Sequence, residues 1–355
     1  MRPARARNAA LIAGMIATVL IAAACTSSPK ESKSAPASDG CAVSADLVPS
    51  CGALIGISVG PSSERDIASL EKVMKRKVDI LYEFHGIDKK LPARDEKQMV
   101  AQGRVLHVNI ESKEFVKANH PEVAWREITG GRFDSVLKQQ AKGFKKLKTP
   151  VMVTFDHEVD SAKKVGQRGT AAEFVAAWRH IHDVYKAAGA TNVVWVWVVT
   201  GYEGNWDRVP AVYPGNGYVD WVSWDPYNFS GCQQGTVNPD EWKSFEDTVS
   251  PFYNWLQTKG AAAGIDPKKP YMLSEFGTVD NPEDPGAAGR WYAGIPSALT
   301  KFPQLKALQL WNGKVGTCDY RIEQRRETLL SFGALTRDQL FGRAAAALAD
   351  RTPAG

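Results

Sequence analysis

Short apolar runs recur along the chain from residue 54 onward, and each is followed by a loop and an amphipathic stretch. Most runs are nearly continuous in β-branched and aromatic residues, as is typical of strands buried on both faces of a parallel sheet. Eight runs are predicted as strands: 54–60, 78–84, 105–111, 151–158, 192–199, 220–227, 271–277 and 305–312. This alternation predicts an α/β fold, a (β/α)8 TIM barrel forming a single domain. The alternative is an open doubly wound sheet, but no glycine-rich phosphate loop follows the first run.

Helix signals fall between the predicted strands. Thr170 and Glu173 have the spacing of a capping box, and Gly189 suits the end of the helix that would follow. Apolar residues in this segment repeat at helical spacing and predict one buried face: Phe174, Trp178, Ile181 and Tyr185. A second helix is predicted from Phe133 to Leu147, before the fourth strand. We expect residues 51–345 to form the barrel domain and 346–355 to fray after a last helix.

The N-terminal residues are typical of an export signal. Three arginines precede an uncharged apolar run over 9–24, which is short for a membrane span of roughly 20 residues. Small residues lead directly to Cys25, as in a bacterial lipobox, although Ala22 stands where leucine is commonest. We therefore predict a lipoprotein signal peptide over 1–24, lipidation at Cys25 and a polar tether over 25–50. This predicts a location outside the cytoplasm, anchored to the membrane or secreted; an ordinary secretory cleavage site is the alternative.

Composition narrows the possible partners. Removal of residues 1–24 takes away three arginines and lowers the formal net charge from +5 to +2. Nothing in this balance indicates a nucleic-acid partner. A hydrophobic content of 44% with 11 tryptophans permits a large core and leaves aromatic residues for a ligand. We expect a monomer without a cofactor.

The cysteines predict two disulfides. Once Cys25 is set aside, an even number of cysteines remains, in a compartment where thiols oxidise. Cys41 and Cys51 are close in sequence and are the favoured pair, which leaves Cys232 with Cys318. The alternative is buried free thiols.

Two glutamates end predicted strands on opposite sides of the barrel. Glu158 ends the fourth strand, and Glu275 lies near the end of the seventh. In such barrels the chemistry takes place at the carboxyl ends of the strands. Side chains reaching inward from these positions can bring two carboxyls to roughly 5–5.5 Å, the separation used for retaining glycoside cleavage. Either glutamate alone would more often be an ion-pair partner, but together they indicate an acid/base and a nucleophile.

Four neighbouring residues are candidates for contact with the substrate or the carboxyls. His157 can hydrogen-bond and tune a carboxylate, and Tyr227 can donate its hydroxyl to Glu275. Trp311 and Trp197 offer aromatic faces for a sugar ring, since each lies towards the predicted mouth of the barrel. For Trp311 a core position is the alternative.

Four segments resemble glycoside hydrolase family 26: VMVTFDHEVD, AAWRHIHDVYKAAGATNVVWVW, YPGNGYVDWVSWDPYN and KPYMLSEFG. The resemblance covers roughly residues 52–320, and it includes a histidine before the acid/base where most of the wider clan has asparagine. It implies that Glu158 is the acid/base, Glu275 the nucleophile, Tyr227 its hydrogen-bond partner and Trp311 a sugar platform. It also implies a polysaccharide substrate, β-mannan first, with mixed-linkage β-glucan or β-1,3-xylan as alternatives.

The loop after Glu158 departs from the family pattern. It has no aromatic residue until Phe174, so a further sugar platform is either missing or supplied from elsewhere, with Trp206 and Tyr202 as candidates. It carries positive charge instead, at Lys163, Lys164 and Arg168. The simpler interpretation is a solvated loop, and the sharper hypothesis is selection of an acidic polysaccharide.

Two other classes of function compete with this interpretation. A metalloenzyme would use the histidines near strand ends, His85, His107 and His157, but the chain has no HExxH motif, and no metal is predicted. A non-catalytic carbohydrate-binding lipoprotein would keep the scaffold without hydrolysis, although the intact glutamate pair argues against it.

Overall fold

The computed structural model describes residues 40–58 and 64–351. Eight parallel strands close into a barrel: β1 (Leu54–Ser58), β2 (Ile80–Gly86), β3 (Val105–Glu111), β4 (Val151–Phe155), β5 (Val193–Val199), β6 (Trp221–Trp224), β7 (Tyr271–Thr278) and β8 (Leu305–Trp311). Each strand pairs with the next in chain order, and β1 pairs with β8 along its whole length. The predicted (β/α)8 TIM barrel is therefore confirmed.

Helices follow the strands around the outside of the barrel. Those in the described residues are α1 (Glu64–Met74), α2 (Arg94–Ala101), α3 (Trp125–Thr129), α4 (Asp134–Lys145), α5 (Ala162–Gln167), α6 (Ala171–Ala187), α7 (Phe245–Lys259), α8 (Ala287–Ala293), α9 (Ile295–Leu299), α10 (Arg326–Thr336) and α11 (Gln339–Ala349). Within the same ranges, none of them is both long and apolar enough to cross a membrane.

Helix α6 begins and packs as predicted. The Thr170 hydroxyl accepts from the Glu173 backbone N–H at 3.2 Å, and the Glu173 carboxylate accepts from the Thr170 N–H at 2.7 Å. These reciprocal bonds satisfy two N–H groups that have no partner inside the helix. The four residues predicted to share an apolar face are all buried: Phe174, Trp178, Ile181 and Tyr185.

The barrel strands alternate between an outer and an inner layer. In β3, Leu106, Val108 and Ile110 join the large apolar core beneath the helices, because alternate side chains point to opposite faces of a strand. The other face of β3 carries Val105 in the barrel interior, followed by polar residues nearer the mouth.

The other end of the barrel is closed by the segment before β1. The Cys41–Cys51 disulfide is present, and Leu47, completely buried, joins the inner apolar cluster. Trp221 also donates its indole N–H to the Asp46 carbonyl at 2.7 Å. Residues 41–50 therefore belong to the folded domain, which begins earlier than the boundary predicted at residue 51. The predicted signal peptide and Cys25 lie outside the described residues.

Candidate active site

The chain bends sharply where β4 ends. The strand stops at Phe155, three residues earlier than predicted, because Asp156 and Glu158 have left-handed φ angles of +49° and +53°. Such angles are uncommon for residues other than glycine and cost about 1–3 kcal/mol each. The bend lets His157 and Glu158 line the same cleft, although neighbours on a regular strand point to opposite faces.

Asp156 anchors this bend from below. Its side chain is completely buried and accepts hydrogen bonds from the Ser112 backbone N–H at 2.8 Å and the Trp125 indole at 2.6 Å. Arg168 also donates to it. Burial raises the pKa of Asp156, although the Arg168 charge opposes that shift. Asp156 is therefore a structural residue that fixes the bend.

A cleft of about 1040 Å³ opens at the carboxyl ends of the strands. It brings together five of the predicted site residues: His157, Glu158, Tyr227, Glu275 and Trp311. Its volume lies at the upper end of the roughly 300–1,000 Å³ seen for ligand pockets, which suits several sugar units. Further lining residues are supplied mainly by β2 and the loops after β6 and β8, among them Glu83, His85, Asp95, Phe229 and Tyr320.

Glu275 is held from three sides. The Tyr227 hydroxyl donates to its Oε2 at 2.5 Å, and its own backbone N–H donates to Oδ1 of the buried Asp225 at 3.0 Å. His157 Nε2 lies 3.9 Å from its Oε1. Burial and the nearby Glu158 raise the pKa of Glu275, whereas His157 and the Tyr227 hydrogen bond lower it. Glu275 therefore lies in the arrangement expected of a fixed nucleophile.

Glu158 is less restrained. It is partly exposed on the cleft wall. Within the described part of the chain, no hydrogen bond to its carboxyl is present, which leaves that group available to a ligand. An acid/base needs this freedom, because it must reach the leaving oxygen and later a water molecule.

Tyr227 owes its position to a break in the sixth strand. The predicted run over 220–227 splits into β6 and a two-residue strand, Tyr227–Asn228, because Pro226 has no N–H to donate to a ladder. Tyr227 instead pairs with Gly277 of β7. Its ring packs against Tyr320, with centroids 4.6 Å apart, and against Trp311, 6.4 Å away.

The second predicted disulfide, Cys232–Cys318, is present beside this aromatic group. It joins the loop after β6 to the loop after β8, and these flank β7, which carries Glu275. Cys232 is completely buried, and Cys318 lines the cleft. The bridge therefore braces the wall next to Glu275.

The two tryptophans predicted to stack on a sugar ring differ in their exposure. Trp311 is partly exposed in the cleft, where a sugar ring can stack on it. Trp197 is completely buried, and its indole donates to the Val212 carbonyl at 3.0 Å. A side chain enclosed in this way cannot contact a substrate, so the prediction for Trp197 is wrong: it is a core residue.

Two of the three basic side chains in the loop after Glu158 are bound by other groups of the protein. Arg168 is 6% exposed and binds three carboxylates, those of Glu111, Glu122 and Asp156. The Lys164 ammonium donates to the His157 carbonyl. The interpretation as a solvated loop is therefore wrong for Arg168 and Lys164. Of the three basic residues in this loop, only Lys163 is exposed.

Tyr202 and Trp206 were candidates for a further sugar platform, but neither of them lines the cleft. Tyr202 is 69% exposed elsewhere on the surface. Trp206 packs against Phe252 and Trp255, and its indole donates to the Gly201 carbonyl at 3.1 Å. Any second platform must come from residues that do line the cleft, such as Phe229 or Tyr320.

Glu111 is a site residue that sequence reasoning missed. It ends β3, and its Oε1 lies 2.8 Å from His157 Nδ1. Asn109 on the same strand face donates to that oxygen at 2.7 Å, and its own Oδ1 accepts from the His157 backbone N–H at 3.1 Å. The signal was available: residues 107, 109 and 111 are polar at every second position of an apolar strand.

The three histidines considered as metal ligands are separately engaged. His85 bonds to Glu96 at 2.5 Å, and the buried His107 lies between Thr154 and Gln309. Across residues 40–58 and 64–351, no group of three or more His, Cys, Asp or Glu side chains is arranged to hold a metal ion.

Comparison with known proteins agrees with this geometry. The sequence model described as "Glycosyl hydrolase family 26" matches residues 95–241. Endoglucanase H of Acetivibrio thermocellus is 27% identical over 293 residues, which cover 79% of this chain and 30% of that protein. The chain thus spans less than a third of that relative's length. The match to glycosyl hydrolase family 26 thus covers 147 of the 355 residues.

Solved structures of mannanases share the fold of this chain. The catalytic domain of a Bacillus sp. JAMB-750 endo-β-1,4-mannanase matches with a TM-score of 0.59 at 16% identity, over 82% of this chain and 86% of that one. A modular endo-β-1,4-mannanase from Cellulomonas fimi matches with a TM-score of 0.61 at 18% identity, over 85% and 74%. At these identities the likeness establishes the barrel fold and not the sugar that is cleaved.

Proposed function

We propose that this glycoside hydrolase cleaves β-mannan with retention of anomeric configuration, using Glu158 as acid/base and Glu275 as nucleophile. The observation that carries the proposal is the placement of both carboxyls on one cleft, with Glu275 held by Tyr227 and Glu158 unrestrained. The difference in restraint suits the two roles. A nucleophile must be fixed for in-line attack, whereas an acid/base serves two successive partners.

The reaction proceeds in two displacements. In the first, the Glu275 carboxylate attacks the anomeric carbon while protonated Glu158 gives its proton to the glycosidic oxygen, so that an ester forms and the leaving sugar departs as an alcohol. In the second, ionised Glu158 removes a proton from water, and the resulting oxygen nucleophile displaces Glu275 from the anomeric carbon. Both carboxyls then regain their starting protonation states.

The aromatic residues around Tyr227 supply the binding surface. Trp311 offers a face for a pyranose ring, and Phe229 and Tyr320 continue the apolar wall. Glu83, His85 and Asp95 also line the cleft and provide hydrogen-bonding groups for sugar hydroxyls. A polymer is a suitable ligand for a cleft of this size because several neighbouring sugar units fit within it.

Azide rescue of two alanine variants tests the assignment of roles. With an activated aryl β-mannoside, Glu158→Ala plus azide should release the β-mannosyl azide, because azide attacks the glycosyl–enzyme intermediate. Glu275→Ala plus azide should instead release the α-mannosyl azide, because azide takes the place of the nucleophile. The same azide anomer from both variants, or wild-type product formed initially with inverted configuration, would disprove the double displacement.

One observation favours a second substrate. The relative that is 27% identical over most of this chain is named an endoglucanase, so β-glucan is the alternative to β-mannan. A panel of β-mannan, β-1,4-glucan, mixed-linkage β-glucan and β-1,3-xylan, analysed for product length, decides between them. Binding to a polymer by wild type and both alanine variants, with no hydrolysis by any, would favour a carbohydrate-binding protein instead.

We also propose that the domain is exported and anchored through Cys25. The lipobox-like sequence supports this, as do the two disulfides, because such bridges persist in oxidising compartments. Labelled fatty acid should enter the wild-type chain and not a Cys25→Ser variant. Equal labelling of both would disprove the anchor.

A further inference from the structure

His157 lies between two glutamates of different function. Its Nδ1 is 2.8 Å from Oε1 of Glu111, and its Nε2 is 3.9 Å from Oε1 of Glu275. The first distance is that of a hydrogen bond, and the Asn109 side-chain Nδ2 lies 2.8 Å from the same ring nitrogen. In the imidazolium form Nδ1 carries a proton, and of these two neighbours only the carboxylate can accept it. The second is too long for a hydrogen bond and acts as a charge interaction. The imidazole therefore connects a carboxylate beneath the cleft with the proposed nucleophile.

Glu111 is fixed by basic residues that lie outside the cleft lining. Its Oε2 accepts from Arg168 Nη1 at 3.0 Å, and Lys164 Nζ lies 3.8 Å from its Oε1. Both cations come from the segment after Glu158. Because the Lys164 ammonium also donates to the His157 carbonyl, the same segment positions the histidine backbone.

We propose that Glu111 is a positioning residue that orients His157 and makes it the imidazolium facing Glu275. The proposal rests on the function argued above. It assigns the basic segment after Glu158 to the support of the active site, in place of the recognition of an acidic substrate. Arg168 and Lys164 keep Glu111 ionised, and ionised Glu111 stabilises the charge on His157.

The electrostatics of the buried groups agree with this arrangement. Burial opposes ionisation of Glu111, but Lys164, His157 and Arg168 together hold its pKa well below the usual range. Burial and the Lys164 charge each lower the pKa of His157, yet Glu111 and Glu275 outweigh them and raise it. The groups with the largest effects on the pKa of His157 are Lys164 from α5, Glu111 from β3 and Glu275 from β7, and the charge of His157 in turn lowers the pKa of His107 on β3.

An imidazolium at this position helps both halves of the reaction. It opposes the effect of burial on the pKa of Glu275 and so favours the carboxylate that must attack. In the second displacement Glu275 leaves as a carboxylate, and a nearby positive charge stabilises that leaving group.

The pH profile of Glu111→Gln tests the proposal, because two explanations predict opposite shifts. If Glu111 acts on Glu275 directly through space, removing its negative charge lowers the pKa of Glu275 and moves the acid limb of kcat/KM to lower pH. If Glu111 acts through His157, its removal costs the histidine its positive charge, which raises the pKa of Glu275 and moves the acid limb to higher pH. We expect a shift of roughly one pH unit upward and a roughly tenfold lower plateau.

Glu122→Gln is the matched control. Glu122 also pairs with Arg168, at 2.7 Å, but it is more exposed and its other ion-pair partner is Lys113. This variant should keep the wild-type acid limb. A downward shift or no shift in Glu111→Gln, or the same upward shift in both variants, would overturn the proposal.

NMR titration of the imidazoles tests the arrangement without any substrate. In the wild type, the pKa of His157 should lie above the ordinary value of about 6.5, whereas burial lowers that of His107 to about 3. The His157 pKa should fall in Glu111→Gln and rise in Lys164→Met. A wild-type His157 that titrates below 6.5 would overturn the proposal even if Glu111→Gln does not fold. If the wild type cleaves no polysaccharide, the proposed function fails, and this titration still decides the role of Glu111.

Discussion

The hydroxyl of Tyr227 lies 2.5 Å from Oε2 of Glu275 and donates a hydrogen bond to it. Pro226 makes this contact possible, since it interrupts the strand after Trp224 and lets the chain pair with β7 again from Tyr227. The hydroxyl stabilises the carboxylate form of Glu275 against burial, which otherwise raises its pKa. The hydrogen bond is therefore expected to matter for turnover.

Tyr227→Phe should lower kcat/KM by roughly 10- to 100-fold, since a hydrogen bond to a charged group contributes about 1.5–3 kcal/mol. The acid limb of the pH profile should also move to higher pH, because the carboxylate loses a donor. Steady-state kinetics from pH 4 to 8 measure both effects. Tyr320→Phe removes a neighbouring hydroxyl that does not bond to Glu275, and a comparable loss in that variant would show that the effect is not specific.

The two disulfides should differ in what they support. In the loop-entropy account, the Cys232–Cys318 bridge closes 86 residues of sequence and Cys41–Cys51 only 10, so their removal should cost about 4–5 and about 3 kcal/mol of unfolding free energy. Serine pairs at each bridge, compared in urea, measure this difference.

Only the Cys232/Cys318 pair should also change the kinetics, since that bridge braces the wall beside Glu275 and the other closes the far end of the barrel. A rise in KM confined to this pair is expected. Equal kinetic effects from both serine pairs would contradict the bracing role.

The charge of the cleft wall predicts a preference for uncharged substrates. Among the described lining residues there is no Lys or Arg, while four are acidic: Glu83, Asp95, Glu158 and Glu275. Carboxymethylation of an accepted polysaccharide should therefore lower kcat/KM, roughly tenfold if two or three carboxylates lie within about 8 Å. Lys163→Ala should leave turnover of both forms unchanged. Faster cleavage of the carboxymethylated polymer would restore the hypothesis of an acidic substrate.

Sequence reasoning found the barrel because its strands are buried on both faces, which makes them continuous apolar runs. It located Glu158 and Glu275 because strand ends have known positions in a barrel. It missed Glu111, although the alternation in β3 carries the same kind of signal. It could not find the contact between Arg168 and Glu111, which are 57 positions apart, because loop packing of this kind depends on the whole fold.

The boundary errors have local causes. β4 ends early because Asp156 adopts a left-handed conformation that a carboxyl can anchor only once Ser112 and Trp125 surround it. The prediction of a polar tether rests on the composition of residues 26–40 and extends too far when it includes residues 41–50. Their order comes from a disulfide and from Leu47, which fills the end of the barrel.

The left-handed φ of +53° at Glu158 predicts that glycine is more stable than alanine at this position. The free energy of unfolding of Glu158→Gly should exceed that of Glu158→Ala by about 1 kcal/mol, because only glycine adopts this conformation without steric cost. Chemical denaturation of the two inactive variants measures it. The same pair of substitutions at Lys163, in helix α5, should show the reverse order, with glycine less stable than alanine. Alanine as the more stable residue at 158 would show that the turn is not strained.

Because the bend after β4 penalises the proposed acid/base, selection for folding and selection for hydrolysis oppose each other at position 158. A lineage no longer selected for cleavage would gain stability by drifting to glycine there, while the cleft and its aromatic wall persisted. Descendants of this fold with glycine at that position are therefore expected to be sugar-binding proteins that once were enzymes.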